Sequence, residues 1–310
     1  NRIKIQDIVD LASITDDYDT IEVNGVLTNL SGNTLKLLNL LQNDPNKIWE
    51  KVTFVTHDEE QPSSPAFFAI LIATMKKTKR LGISCHWSDT TAYSCLAAGL
   101  LADDGIQELV LEYPENLEVD AAKVLAEAMV CTTCLKRLEL FGRRPIPENV
   151  CPVFLEALKR NRSLEVLALT TFIAGTSLSK FLSTLPNHPS LHSLRLGYQN
   201  MSGQVMEDLR EWLGRNDCRL QNLEIDGASH MSTFSRSIDG KVVENRTLKR
   251  LRLKAVDLSS SDLEGLCTVF PNLSILSLRS NKNIPALEAI LCKEDCKIQE
   301  LDLSKNAFSH

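Results

Sequence analysis

Histidine and cysteine are among the residue types in this chain that could bind a metal or act as nucleophiles. The six histidines are scattered, and none falls in the H-E-x-x-H pattern that puts two zinc ligands on one helix face. Cys131 and Cys134 have the spacing of half a zinc knuckle, but no second pair of ligands accompanies them in the sequence. We therefore interpret these two cysteines as thiols between a helix and a strand, and we expect no metal site.

Phosphate-binding and hydrolase motifs are also missing from the sequence. It contains no G-x-x-x-x-G-K-S/T loop, no G-x-G-x-x-G fingerprint and no G-x-S-x-G elbow. Nothing pairs a nucleophile with a general base in a recognisable arrangement. The sequence therefore predicts a protein that uses no cofactor, has no catalytic residues and is not an enzyme.

A pair of apolar residues separated by one spacer recurs eleven times, at intervals of 25 to 31 residues. From residue 106 onward a third apolar residue precedes each pair, which gives L-x-x-L-x-L, as in Leu135–Leu140 and Leu248–Leu253. The alternation predicts a short strand with its leucines pointing inward. A helical stripe follows, as in Phe154, Leu155 and Leu158, and a fixed period of this length indicates a solenoid. The second members of the pairs are Val23, Phe54, Ile83, Leu111, Leu140, Leu169, Leu196, Ile225, Leu253, Leu278 and Leu303.

This pattern resembles the leucine-rich repeats of the long, ribonuclease-inhibitor-like type, from about residue 18 to residue 303. The resemblance implies an α/β fold: a solenoid, or horseshoe, of about 11 repeats with a parallel inner sheet and outer helices. Parallel strand–helix–strand connections are right-handed in almost all known cases, so we expect a right-handed solenoid. The family usually places Asn or Cys three residues after the last strand leucine, and in this chain only Asn281 and Asn306 match.

We expect residues 1–310 to form a single solenoid, because repeats grow by stacking and need no separate compact core. Residues 1–16 are amphipathic and are predicted to cover the first repeat. The sequence ends directly after a predicted strand, without the polar cap that a terminal repeat requires. We therefore expect the C-terminal end to be uncapped and the chain to be part of a longer protein.

Composition narrows the function classes further. The net charge of −6 gives no general attraction to nucleic acid, and no apolar run approaches the roughly 18 residues of a membrane span. Nine cysteines without a small-domain framework indicate free thiols in a reducing compartment, so we expect an intracellular, cytoplasmic protein. Five Asn-x-Ser/Thr sequons occur, and three lie in the polar loop before a strand leucine, where the repeat itself favours such residues.

Residues that alternate with the inward leucines are predicted to project from the concave face of the sheet, which solenoids use for binding. Two patches stand out there. The first is apolar and aromatic, which is typical of protein-binding sites, and the second is basic. For the basic patch the sequence leaves open a charge ladder within the chain, or the binding of an acidic partner segment or a phosphate group. The residues predicted to bind a partner are Val110, Tyr113, Phe141, Val166, Ala168 and Tyr198, with Phe172 nearby, and Arg250, Arg252, Lys254 and Arg279.

The sequence thus predicts a protein–protein interaction module or scaffold subunit whose partner, another protein, binds the concave face. Two alternatives stay open at this point. One is a small-GTPase-activating protein of the Ran type, whose repeats look similar. The other is the ligand-sensing repeat region of an immune-type receptor.

Overall fold

The computed structural model describes most of the chain from residue 78 onward and three short segments before it. The chain divides into two compact units, residues 1–164 and 165–310, and each is described by itself. The described residues are 2–5, 20–24, 49–55, 78–84, 90–101, 106–112, 117–197, 201–227, 244–256, 258–281, 284, 287 and 296–306.

The first unit is a parallel sheet with helices that follow its later strands. Each strand pairs in parallel with the next strand along the chain. The strands are β1 (Arg2–Ile5), β2 (Thr20–Asn24), β3 (Trp49–Val55), β4 (Thr78–Ser84), β5 (Glu108–Glu112) and β6 (Arg137–Phe141). The helices are α1 (Thr90–Leu100), α2 (Val119–Cys131) and α3 (Cys151–Arg160), and α2 packs against both of the others.

The second unit repeats the same arrangement. Its strands also pair in parallel, each with the next. They are β7 (Val166–Thr170), β8 (Ser193–Gly197), β9 (Asn222–Asp226), β10 (Arg250–Lys254), β11 (Ile275–Ser277) and β12 (Glu300–Asp302). Its helices are α4 (Gly175–Thr184), which continues into a 3₁₀ turn at Leu185–Asn187, α5 (Gly203–Leu213) and α6 (Ser260–Val269). Helices α4 and α5 pack against each other.

The strand positions predicted from the leucine pattern are confirmed. Each of the eleven apolar pairs lies in, or ends directly after, one of the strands β2 to β12. The register repeats as well, since Leu81, Leu109 and Leu138 are aligned on neighbouring strands of the first unit. The structure adds β1, which falls within the N-terminal segment predicted to cover the first repeat and pairs in parallel with β2. The rest of that segment, residue 1 and residues 6–16, lies outside the described residues.

The core of each unit consists of inward strand leucines and the apolar faces of the helices. Along β5, Leu109 and Leu111 are buried while Glu108, Val110 and Glu112 are partly exposed. Burying one such leucine contributes on the order of 1.5–3 kcal/mol relative to exposure. From β4 to β11 each repeat buries its own inward pair, so the fold of this part of the chain follows from the periodicity of the sequence.

Buried polar side chains close the turn between a helix and the next strand. The Oδ1 atom of Asn161 accepts hydrogen bonds from the backbone N–H groups of Ser163 (3.0 Å) and Leu164 (2.8 Å), and its Nδ2 donates to the carbonyl of Met129. His188 takes the same position, three residues before the first leucine of the L-x-x-L-x-L motif, and its Nδ1 accepts from the N–H groups of Ser190 and Leu191. These contacts satisfy backbone groups that burial would otherwise leave unpaired.

Asn245 makes the same contacts as Asn161, and these contacts account for the asparagine in two of the five sequons. Its Oδ1 accepts from the N–H groups of Thr247 (3.1 Å) and Leu248 (2.8 Å), and its Nδ2 donates to the carbonyl of Leu213 (2.6 Å). Asn161 and Asn245 are 1% and 2% exposed. Their amide nitrogens are therefore buried donors in the folded chain, and no carbohydrate can be accommodated on them.

Strands of the second unit end in a left-handed turn. The residue two positions after the last strand apolar has a positive φ at Thr171, Gly227, Ala255, Ser280 and Lys305. The amides of three of them donate to a carbonyl of the neighbouring turn or strand at 2.9–3.1 Å. Glycine adopts this conformation without the roughly 1–2 kcal/mol penalty that other residues carry, so the repeating geometry outweighs the local preference at the other four positions.

Asn281 and Asn306 link the last turns, as the resemblance to leucine-rich repeats implies. The Nδ2 of Asn281 donates to the carbonyl of Leu253 (3.0 Å), and its Oδ1 accepts from the N–H of Val256 (2.8 Å). Its own N–H donates to the Oδ1 of Asn306 (2.6 Å). Each asparagine thus connects the turns of consecutive strands.

Candidate partner-binding surfaces

The outward face of the first unit carries a network of ion pairs. The Nε of Arg80 lies 3.2 Å from a carboxylate oxygen of Glu108, and its Nη2 lies 3.8 Å from Glu139. Arg137 contacts the same carboxylate through a hydrogen bond from its Nε. Glu139 projects outward, as its position predicts, but two arginines cover it and leave it only 6% exposed.

Two apolar side chains lie beside this network. Val110 pairs in register with Glu139, and Phe141 follows two residues later on the same strand as Glu139. Val110 and Phe141 are therefore diagonal neighbours on adjacent strands, and both are partly exposed. The third member of the predicted set in this unit, Tyr113, lies outside the described residues.

The predicted apolar patch of the second unit is smaller than the sequence indicates. Val166 is partly exposed, but Ala168 is only 2% exposed, so the prediction that it is available to a partner is wrong. The methyl group of Ala168 lies in register with Arg195, and so short a side chain does not rise above its longer neighbour. Tyr198 lies outside the described residues.

Phe172 is also buried, at 1% exposure. It occupies the position three residues after the last strand leucine, where Asn281 and Asn306 lie in later repeats. At that position the side chain points into the turn and the core, and an aromatic ring fills space that an amide fills elsewhere. Phe172 therefore belongs to the core and leaves no aromatic residue of this set exposed in the described part of the second unit.

A cleft of about 500 Å³ lies on the strand face of the second unit. Three of the four basic residues predicted for this region line it, and the fourth, Arg250, is exposed nearby on β10. The sequence-based prediction missed two basic members, Arg195 and Lys305. Arg195 could have been found because it lies between the two inward leucines of its strand, which is the outward position that Arg252 takes on β10. The lining residues are Arg195, Glu224, Arg252, Lys254, Ser277, Arg279, Ser280, Asp302 and Lys305.

Ion pairs between side chains of neighbouring strands form a charge ladder in part of this cleft. Glu224 is shared by Arg195 at 3.3 Å and Arg252 at 3.7 Å. The Nζ of Lys254 lies 2.6 Å from the Oδ2 of Asp226, which is 1% exposed. The interpretation as a ladder within the chain, which the sequence left open, thus describes Arg252 and Lys254.

Asp302 remains charged at one end of the cleft. A hydrogen bond from the backbone N–H of Ser304 (3.0 Å) is the main reason why the pKa of Asp302 lies below its usual value. The hydroxyls of Ser304 and Ser277 and the positive charge of Arg279 lower this pKa further. Because neutral donors hold both of its oxygens, Asp302 is a fixed acceptor that only partly offsets the basic residues.

Two further observations concern metals and membranes. Within the described residues, no group of three or more His, Cys, Asp or Glu side chains is arranged to hold a metal ion. None of the helices in that part of the chain is both long and apolar enough to cross a membrane. Cys131 is exposed at the end of α2 and Cys134 lies in the turn that follows, and neither forms a disulfide.

No family model matches the chain. The mouse protein "NACHT, LRR and PYD domains-containing protein 14" is 21% identical over 262 residues, which cover 80% of this chain and 25% of that protein. The chain therefore spans about a quarter of the length of this relative. This distant similarity to a protein with an LRR domain, together with the repeated parallel strands, supports a leucine-rich-repeat-like protein.

Two solved structures are also similar. The yeast Rad7 and Elc1 complex matches with a TM-score of 0.46 and 15% identity over 84% of this chain and 69% of that chain. The tropomodulin C-terminal domain from Caenorhabditis elegans matches with a TM-score of 0.35 and 16% identity, over 44% of this chain and 82% of that one. Both TM-scores are too low to support an inference about the function of this chain.

Proposed function

We propose that this chain is a protein–protein interaction module that binds its partner through the outward face of its strands. In this proposal it is a right-handed, ribonuclease-inhibitor-like solenoid of about eleven repeats, that face is concave, and the chain has no catalytic activity. The observation that carries the proposal is the pair Val110 and Phe141, two apolar side chains that are partly exposed beside a charged network.

The surroundings of Phe141 suit a binding anchor. Aromatic residues dominate the energetics of interfaces when a ring of polar residues excludes water around them. Here the rim consists of Arg80, Glu108, Arg137 and Glu139, and these side chains already hold one another in place. A partner that covers Phe141 therefore gains apolar contact, and it immobilises few side chains that were free before.

Replacement of Phe141 by alanine tests this proposal. Once affinity capture and mass spectrometry have identified a partner, Phe141→Ala is expected to weaken binding about 30-fold or more, since an aromatic anchor contributes about 2 kcal/mol or more. Leu101→Ala is the control, because Leu101 is 53% exposed and directly follows a helix. Calorimetry should give wild-type affinity for that variant.

Two outcomes would contradict the proposal. If Leu101→Ala weakens binding and Phe141→Ala does not, the helix side is the binding surface. If Phe141→Ala lowers the free energy of unfolding by as much as a core substitution, Phe141 is a structural residue. Acceleration of nucleotide hydrolysis by a small GTPase in the presence of this chain would instead favour the Ran-type alternative and remove the claim that it is not catalytic.

The similarity to the mouse protein favours a second candidate. In that reading this chain is the ligand-sensing repeat region of an immune-type receptor, since it aligns with a protein whose name includes NACHT, LRR and PYD domains. Binding through the strand face is common to both candidates. The coding sequence upstream of Asn1 separates them, because a nucleotide-binding P-loop there would support the receptor.

We further propose that the protein acts inside the cell, in the cytoplasm. Cys131, Cys134, Cys218 and Cys296 are free thiols, which persist in a reducing compartment. Titration with a thiol reagent should label the exposed Cys131 in the native protein extracted under conditions that block oxidation. A disulfide at Cys131 in protein taken directly from cells would contradict this location.

A further inference from the structure

The strand-face cleft of the second unit is positively charged although the chain as a whole carries a net charge of −6. Among its lining residues, five basic side chains face two acidic ones, Glu224 and Asp302. Even with Asp226 beneath Lys254 included, basic residues outnumber acidic ones by five to three. A local field of this sign attracts anions on a protein that otherwise repels them.

The internal ion pairs do not neutralise the cleft. Glu224 is the single carboxylate that both Arg195 and Arg252 contact, and Arg252 is 3.7 Å from it with half of its side chain exposed. Within the described part of the chain, no ion pair within 4.0 Å involves Arg279 or Lys305. Both side chains are exposed at the end of the cleft. The exposed ion pairs that Arg195 and Arg252 form with Glu224 contribute about 0–1 kcal/mol, so a ligand can engage these arginines at low cost.

The spacing of the basic residues sets the size of the ligand. Arg195 lies on β8 and Lys305 follows β12, so the cleft crosses four strand spacings, or about 19 Å at roughly 4.8 Å each. One phosphate group cannot reach across that length. An extended peptide rises about 3.3 Å per residue, so about six residues would span it. Carboxylates distributed along a peptide match the distribution of the arginines.

We propose that this cleft binds an acidic peptide segment of the partner, extended across strands β8 to β12. This inference rests on the proposed function, since it names the chemistry of a partner that the strand face would bind. The contacts are carboxylates of the segment with Arg252, Arg279 and Lys305. Ser280 lines the same cleft and supplies a neutral hydroxyl, whereas the hydroxyl of Ser277 already donates to Asp302.

A fluorescent peptide of sequence Glu-Ser-Glu-Ser-Glu-Ser-Glu-Ser tests the proposal directly on the 310-residue chain. Fluorescence anisotropy is expected to show binding that weakens as salt increases, because such contacts are screened. The double variant Arg252→Gln, Arg279→Gln is expected to bind about 10-fold more weakly or worse. A peptide with Gln in place of every Glu should not bind.

The matched control is Lys180→Gln, Lys249→Gln, which removes two positive charges from exposed positions of the same unit outside the cleft. Its affinity for the acidic peptide is expected to stay within about 2-fold of wild type, because neither lysine lines the cleft and exposed charges are screened by salt. Unfolding curves of both double variants show whether each is folded. Should the cleft variant not fold, Lys305→Gln alone must still weaken binding, because Lys305 is exposed at the end of the cleft.

Several results would overturn this inference. These are no binding of the acidic peptide, an equal loss in the control variant, or full competition by inorganic phosphate at concentrations near the Kd of the peptide. Phe141→Ala should leave peptide binding unchanged, because Phe141 belongs to the other unit. If the peptide does not bind while Phe141→Ala still abolishes partner binding, this inference fails and the proposed function stands. If the peptide binds while Phe141→Ala does not weaken partner binding, the cleft is supported as a binding site and Phe141 is not the anchor.

Discussion

At the scale of single residues, the most consequential side chains are the buried polar ones that precede the strands. Asn161, His188 and Asn245 each lie three residues before the first leucine of the L-x-x-L-x-L motif and accept two backbone N–H hydrogen bonds. Asp217 holds the corresponding position before Leu220, but it is exposed and pairs with the guanidinium of Arg215. The same repeat position is therefore buried at Asn161, His188 and Asn245 and exposed at Asp217.

This difference leads to a prediction about stability. Asn245→Ala removes the acceptor of two buried N–H groups and the donor to the Leu213 carbonyl, and each buried group left unpaired costs about 1–3 kcal/mol. We expect the free energy of unfolding to fall by about 2 kcal/mol or more. Asp217→Ala should cost less than about 1 kcal/mol because exposed pairs contribute little. Equal losses in chemical denaturation would show that burial of the turn does not matter.

At the scale of the elements, alternation along the strands divides core from surface. In β7, Leu167 is fully buried and in register with Leu194, while Ser193 lies at an outward position of β8. Arg137 is outward as well, but it contacts the nearly buried Glu139. Outward position therefore does not by itself make a residue neutral for stability.

Leu167→Ala should lower the free energy of unfolding by about 2–5 kcal/mol, because it leaves a cavity among packed leucines. Ser193→Ala should change it by less than about 0.5 kcal/mol. Both values can be measured by urea denaturation of the 310-residue chain. A similar loss for the two variants would mean that the assignment of inward and outward positions is wrong.

The strands could be predicted from sequence because one motif fixes both their position and their inward residues in every repeat. The surface patches could be predicted only in part. Whether Glu139 or Ala168 is exposed depends on side chains one or two strands away, such as Arg80 and Arg195, which lie far away in sequence. The buried turns left a signal, namely an Asn or His three residues before the strand leucine. Phe172 left none, because an aromatic residue at that position suits both a core and a surface.

At the scale of the whole molecule, we propose that the core and the outward strand face have separate roles. The helices and inward leucines stabilise the repeats, and the outward strand residues are left for a partner. Phe141 and Val110 on one unit and the basic cleft on the other lie on strand faces. If this division holds, a partner should be found against the strands and be absent from the helices.

Site-specific photo-cross-linking tests this claim most directly. A benzoylphenylalanine at position 141, on β6, is compared with one at position 159, where Lys159 is exposed on α3. If the strand face binds the partner, the partner forms adducts with position 141, excess chain without the photo-reactive residue suppresses them, and position 159 gives none. Adducts from position 159 alone, or equal adducts from both positions, would contradict binding at the strand face.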